Sequence, residues 1–162
     1  MVVLGIDPGT TSIGYAIMDC PGRSPVFKHA GVFRIESPNN QGRLGELHER
    51  LNRIIIQWHP RILAVERLYF AKNTKTAIAV SESRGAILLT AVLSGLTVHE
   101  YTPLEVKKIV TGDGRADKIQ IQKMISLTVP GTESLPHQDD MFDAIAVALA
   151  WAHTQKVFFR QK

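Results

Sequence analysis

The sequence predicts an α/β fold: a five-stranded mixed sheet, three antiparallel strands followed by two parallel ones, flanked by helices. Three observations carry this expectation. Apolar, β-branched stretches at 2–6, 13–18 and 26–35 are joined by short turns rich in Gly and Pro, the pattern of an antiparallel meander. An amphipathic helix pattern then separates the first stretch from a similar one at 62–65. Strand, crossover helix and strand form a right-handed unit that returns the new strand beside the first.

The first strand ends on Asp7, and Pro8-Gly9 turns the chain into the second. Asp19-Cys20-Pro21-Gly22 makes the next turn, and the segment Ser37-Pro38-Asn39-Asn40-Gln41-Gly42 breaks the strand pattern after the third. Leu44, Leu47, Leu51, Ile54, Ile55 and Trp58 recur at helical spacing, and His59-Pro60 stops that helix. His48 and His59 read as helix-surface and helix-end residues. The fourth strand, Ile62-Leu63-Ala64-Val65, also runs into an acid, Glu66. Asn73 or Thr74 caps a long helix to about Leu93, closed by Gly95, with Ala77, Ser81 and Gly85 along one face. Such small residues suit either a helix–sheet contact or pairing with a symmetry mate.

A short strand at 96–99 precedes Thr102-Pro103-Leu104-Glu105, a capping box with proline at the first helical position. The glycine turn Thr111-Gly112-Asp113-Gly114 leads to another helix opened by Arg115-Ala116-Asp117-Lys118. The last helix is expected from Gln138 to about His153. One domain is expected over 1–155, followed by a basic tail at 156–162.

Composition bounds the function. The chain has 162 residues, a net charge of +4 and a pI near 9.4, which is compatible with a polyanionic partner. Its one cysteine, Cys20, allows no internal disulfide and suits a reducing compartment such as the cytoplasm. No signal peptide and no membrane span are expected.

The acids are the chemistry-bearing residues. Parallel neighbouring strands would bring Asp7 and Glu66 together at their C-terminal ends, where α/β sheets place ligands. Asp139, Asp140 and Asp143 crowd the start of the last helix, and Asp140 and Asp143, three apart, share a side of it. Acids there also complement the helix dipole. Carboxylates converging on one point repel unless protons or cations intervene, and an all-oxygen set selects hard Mg²⁺ or Mn²⁺. Two such ions are the usual machinery for in-line displacement at phosphorus. Around the acids, Lys107 and Lys118 flank the glycine turn and can hold a phosphate. Arg67-Leu68-Tyr69-Phe70-Ala71-Lys72-Asn73 sets two aromatics between cations, a base-stacking element beside phosphate-binding charges.

Together the motifs resemble the RuvC family of Holliday-junction resolvases, within the ribonuclease H-like fold. The carriers are Gly5-Ile6-Asp7-Pro8-Gly9, Ala64-Val65-Glu66 with Ala71-Lys72-Asn73, Arg84-Gly85, Glu100-Tyr101 with Val106-Lys107, and Asp140-Met141-Phe142-Asp143-Ala144. The resemblance spans about 2–153. It implies a structure-specific endonuclease that resolves four-way DNA junctions by paired symmetric nicks. It further implies metal ligands at Asp7, Glu66, Asp140 and Asp143, and basic catalytic residues at Lys107 and Lys118. Tyr69 is implied to stack on bases at the crossover, with Phe70, Lys72 and Arg115 also meeting DNA. Asp139 departs from the family pattern, and Asp140 is the expected ligand because its spacing to Asp143 matches. A homodimer and work alongside a branch-migration complex (RuvA and RuvB) are implied as well.

Three other readings have support in the sequence. Gly5-Ile6-Asp7-Pro8-Gly9-Thr10-Thr11 resembles the phosphate loop of actin-like ATPases and sugar kinases, but those need a second similar domain, for which the chain is too short. An enzyme maturing structured RNA would keep the fold and change the substrate. A junction-binding module without catalysis would gain nothing from acids that repel DNA.

Overall fold

The computed structural model describes residues 1–21, 24–67 and 74–158, without the side chains of 74–76 and 156–158. The elements are β1 (Val2–Asp7), β2 (Ser12–Asp19), β3 (Val26–Arg34), α1 (Asn40–Trp58), β4 (Ile62–Glu66), α2 (Thr74–Leu93), β5 (Thr97–Tyr101), α3 (Pro103–Thr111), α4 (Lys118–Thr128) and α5 (Asp139–Phe158). They form the expected five-stranded sheet, in the order β3-β2-β1-β4-β5. β1–β2 and β2–β3 are antiparallel, and β1–β4 and β4–β5 parallel.

Side-chain alternation divides the core into two layers. Leu4, Ile6, Ile13, Ile17, Leu63 and Val65 face α1 and α2, where they meet Leu47, Leu51, Ile54, Ile55 and Ile87. Their neighbours Val3, Ala16, Met18, Ile62 and Ala64 face α5, with α3 and α4 beside it. The period of two then assigns Asp7, two residues beyond Gly5, and Glu66, two beyond Ala64, to the α5 side of the sheet.

Glycines set how closely α5 approaches. A Cβ on Gly5 would overlap the Ala144 carbonyl oxygen and lie 2.8 Å from the Ala148 Cβ. A Cβ on Gly14 would overlap the carbonyl of Asp140. The bare strand backbone and the small helix residues let the first turns of α5 lie directly on β1 and β2.

Several boundaries differ from the sequence reading. α1 starts at Asn40 because Asn39 caps it, accepting the Gly42 N–H at 2.7 Å, so the apparent breaker segment is the first turn. β5 continues to Tyr101 because Glu66 and Tyr101 still pair across β4 and β5. α4 begins at Lys118, with Asp117 rather than the Arg115 region as its cap.

Glu46 pins the β3–α1 connection. Its Oε2 accepts the backbone N–H groups of Glu36 and Ser37, each at 3.0 Å, and the Ser37 hydroxyl at 2.9 Å. Arg50 Nε donates to Oε1 at 2.9 Å. These donors, the Ser37 N–H first among them, hold the carboxyl down to about 2. A depressed carboxyl contributes stability above its unfolded value, and loses it as pH falls through the folded value. Glu46→Gln should therefore lower the melting temperature at pH 7, and the gap to the parent should close between about pH 4.5 and 2 in a pH series of thermal melts. An unchanged gap at low pH would refute the ionic role.

Candidate active site

Asp7 and Glu66 are the last residues of adjacent parallel strands, one step past the Ile6–Val65 pair. α5 delivers its acids from the facing layer. Asp140 is turned to the sheet, and its Oδ2 accepts a hydrogen bond from Ser12 Oγ at the start of β2. Asp139, beside it, faces α4 instead: its Oδ2 lies 3.2 Å from Lys118 Nζ, and its Oδ1 accepts from Gln122 Nε2 at 3.1 Å. Asp143, one turn on, meets the same Lys118 ammonium at 3.4 Å.

The electrostatics show that these acids share one environment. Asp7 is pushed up to about 8, first by burial and then by the charges of Asp143, Glu66 and Asp140; Lys118 opposes the rise only in part. Glu66 is raised by burial and by Asp143, against the pull of Lys107 and Lys118. Asp143 is raised by burial, with Asp139 and Asp140 adding to it, although Lys118 sits next to it. Burial lowers the Lys118 ammonium, but Asp143 and Asp139 more than offset this and leave it raised. Both partners are thus raised, which favours the charged form of Lys118 and disfavours that of Asp143. One half-exposed ammonium does not neutralise a half-buried group of carboxylates.

The donor set is all oxygen, and without a cation it is short of positive charge. Among the described residues, no three acid, His or Cys side chains already close around a single point. Lys118 stands in part for the missing charge, bridging Asp139 and Asp143. The residues fit hard divalent cations, whose arrival would let Asp7 give up its proton and draw the acids together.

The structure thus brings together Asp7, Glu66, Asp140 and Asp143, with Lys107 and Lys118 close enough to act on Glu66. Arg115 is exposed in the turn before α4, where its backbone N–H donates to Asp113 Oδ1 at 2.9 Å. Tyr69, Phe70 and Lys72 lie outside the described residues. At the edge of that segment, Arg67 Nε pairs with Glu100 at 3.4 Å, and Arg84 of α2 pairs with the same carboxylate. Arg84-Gly85 and Glu100-Tyr101 stand apart in the sequence as separate motifs; in the fold, they are two halves of one contact.

Ser12 is the residue that sequence reasoning missed. Its only signal is parity with Gly14, Ala16 and Met18, which puts it on the α5 side of β2.

Known proteins resemble this chain over nearly its whole length. The family model described as crossover junction endodeoxyribonuclease RuvC matches residues 3–151. A protein of that description from Caldicellulosiruptor saccharolyticus is 45% identical over 152 residues, covering 92% of this chain and 90% of its own length. The Thermus thermophilus RuvC structure superposes with a TM-score of 0.86 at 30% identity, covering 98% of this chain and 97% of that one. T. thermophilus RuvC in complex with Holliday junction substrate gives a TM-score of 0.89 at 30% identity, with coverage of 98% and 96%.

Proposed function

The chain belongs to the RuvC family of crossover junction endodeoxyribonucleases and resolves Holliday junctions, and from that premise we propose how its own residues do so. Asp7, Glu66, Asp140 and Asp143 hold divalent cations, Mg²⁺ or Mn²⁺ and two per site. The observation that carries this reading is the elevated Asp7 carboxyl, a buried acid made costly to ionise by its own neighbours. Bound cations supply the charge stabilisation that lets water attack phosphorus and the 3′ oxygen depart.

The rest is done by side chains. Lys107 and Lys118 hold the scissile phosphate. Lys118, which pairs with Asp139 and Asp143, would be free to turn toward the DNA where a cation took its place beside Asp143. Tyr69 stacks on a base at the crossover, with Phe70 beside it, and Lys72 and Arg115 meet the sugar–phosphate backbone. Acids near the phosphate and bases around them divide the work: the first hold cations, the second hold the polyanion. A module that only binds junctions would be weakened by the acids.

The catalytic domain runs to about residue 155 with a basic tail at 156–162, although α5 continues past the expected end near His153 and carries the first tail residues to Phe158. The enzyme acts in the cytoplasm alongside a branch-migration complex (RuvA and RuvB). Among the described residues, no helix is long and apolar enough to cross a membrane.

A two-fold dimer presents two sites to the two equivalent strands of a junction. Its support is the outer face of α2, where Ile78, Leu89, Val92 and Leu93 are 67%, 61%, 60% and 74% exposed. Gly85 lies on this stripe with nothing within 4 Å of a Cβ, while Ala77 and Ser81 are half-buried. The face available to a mate is therefore largely apolar, and the small residues contribute to it through Gly85. Leu89→Glu should give a monomer by light scattering and uncouple the paired nicks; a variant that stays dimeric would place the interface elsewhere.

The reading as a whole is tested on a synthetic four-way junction and a matched linear duplex, each with Mg²⁺ or chelator. Paired symmetric nicks are expected in the junction alone and with metal alone. Equal cutting of the linear duplex, or cutting in chelator, would overturn it.

A further inference from the structure

We propose that Ser12 is a positioning residue that orients Asp140 for cation binding. The inference rests on the reading of the carboxylates given above and adds to it a residue from another element.

Ser12 opens β2, and its Oγ donates to Asp140 Oδ2 although the two are 128 residues apart in the chain. The contact is built into the packing. Gly14, two residues on and on the same face, carries no side chain, so the first turn of α5 lies against the strand at this point. That close approach brings the hydroxyl within reach of the carboxylate. An acid in the first turn of a helix has several staggered rotamers open to it. A hydrogen bond to one oxygen selects among them, fixes the carboxylate plane and leaves the second oxygen for a cation. A neutral hydroxyl does this without adding positive charge that would compete with the metal. The contrast with Asp139 is direct. Its oxygens are engaged by Lys118 and Gln122 of α4, so the two adjacent acids are committed to different elements. Ser12 is what commits Asp140 to the sheet, beside Asp7.

Hydrogen-bond partners behind a metal ligand contribute typically 10–100-fold to metal affinity. Mn²⁺ binding to the DNA-free protein, followed by titration calorimetry, reads this without activity. Ser12→Ala should weaken binding roughly tenfold or more, and the Mg²⁺ concentration for half-maximal junction cutting should rise by the same factor. Junction affinity in chelator should not move. Ser12→Thr and Ser12→Val fill nearly the same volume and differ in the hydroxyl, so Thr should bind Mn²⁺ about as tightly as the parent and Val should match Ala. Equal affinity of parent and Ser12→Ala would overturn the proposal, as would a Thr variant as weak as Val, since packing rather than the hydroxyl would then matter. A parent protein that takes up no Mn²⁺ at all would instead bring down the underlying reading of the carboxylates.

Discussion

Asp7→Asn should abolish junction cutting, leave junction binding intact and make the metal-free protein more stable. The loss of cutting follows from removing the most buried member of the cluster. A missing ligand that forfeits ~4 kcal/mol of transition-state stabilisation slows the reaction about 10³-fold. Binding in chelator should hold or tighten slightly, because it rests on Lys and Arg and one repulsive charge is gone. The stability gain is the less obvious part. Asp7 in the folded, metal-free protein ionises near 8, against an ordinary value of 3.8. An acid with a raised folded value costs nothing below the unfolded value; the penalty grows as pH climbs and levels off above the folded one. The advantage of Asn should therefore be small at pH 4, rise through pH 4–8 and plateau beyond, reaching a few kcal/mol in order of magnitude. Thermal melts in chelator across that range measure it. Saturating Mg²⁺ should reverse the sign, because only the parent gains by binding it. A variant no more stable than its parent at pH 8 in chelator would mean that Asp7 is not strained.

Gly14→Ala should damage fold and site together. The added Cβ would overlap the Asp140 carbonyl, and neither β2 nor the first turn of α5 can yield without moving the other. Overpacking costs typically 1–3 kcal/mol, and a Cβ driven into a backbone carbonyl belongs at the top of that range. At ~2–4 °C per kcal/mol for a chain of this size, the melting temperature should drop by about 6–12 °C. Whatever fraction folds should cut poorly, since a shift of ~1 Å at the reacting groups can cost about 10²-fold. Gly45→Ala is the control. It lies in α1, with nothing within 4 Å of a Cβ, and should stabilise by roughly 0.5–1 kcal/mol. Equal tolerance of both substitutions would refute the account of how α5 is seated.

The strand-end acids were legible because two local patterns coincide: an apolar run that ends on a carboxylate, and a crossover helix that makes the two runs parallel neighbours. Asp143 was legible from the apolar residues that follow it. The division between Asp139 and Asp140 was not, because it depends on which neighbouring element offers a donor; α4 offers Lys118 and Gln122, and β2 offers Ser12. The pairing of Arg84 with Glu100 was hidden for the same reason. The role of the small residues on α2 stays open in the sequence, since small residues four apart fit either a buried or an exposed contact and local sequence does not tell them apart. Gly5 and Gly14 did carry a signal: glycine within a strand marks a close backbone approach, and α5 supplies it.

Diffraction from crystals soaked in Mn²⁺, read at the manganese edge, tests the central claim most directly. The account predicts anomalous density bounded by Asp7, Glu66, Asp140 and Asp143, with the Lys118 ammonium displaced from Asp143. Density absent from that cluster, with Lys118 still bridging Asp139 and Asp143, would contradict it.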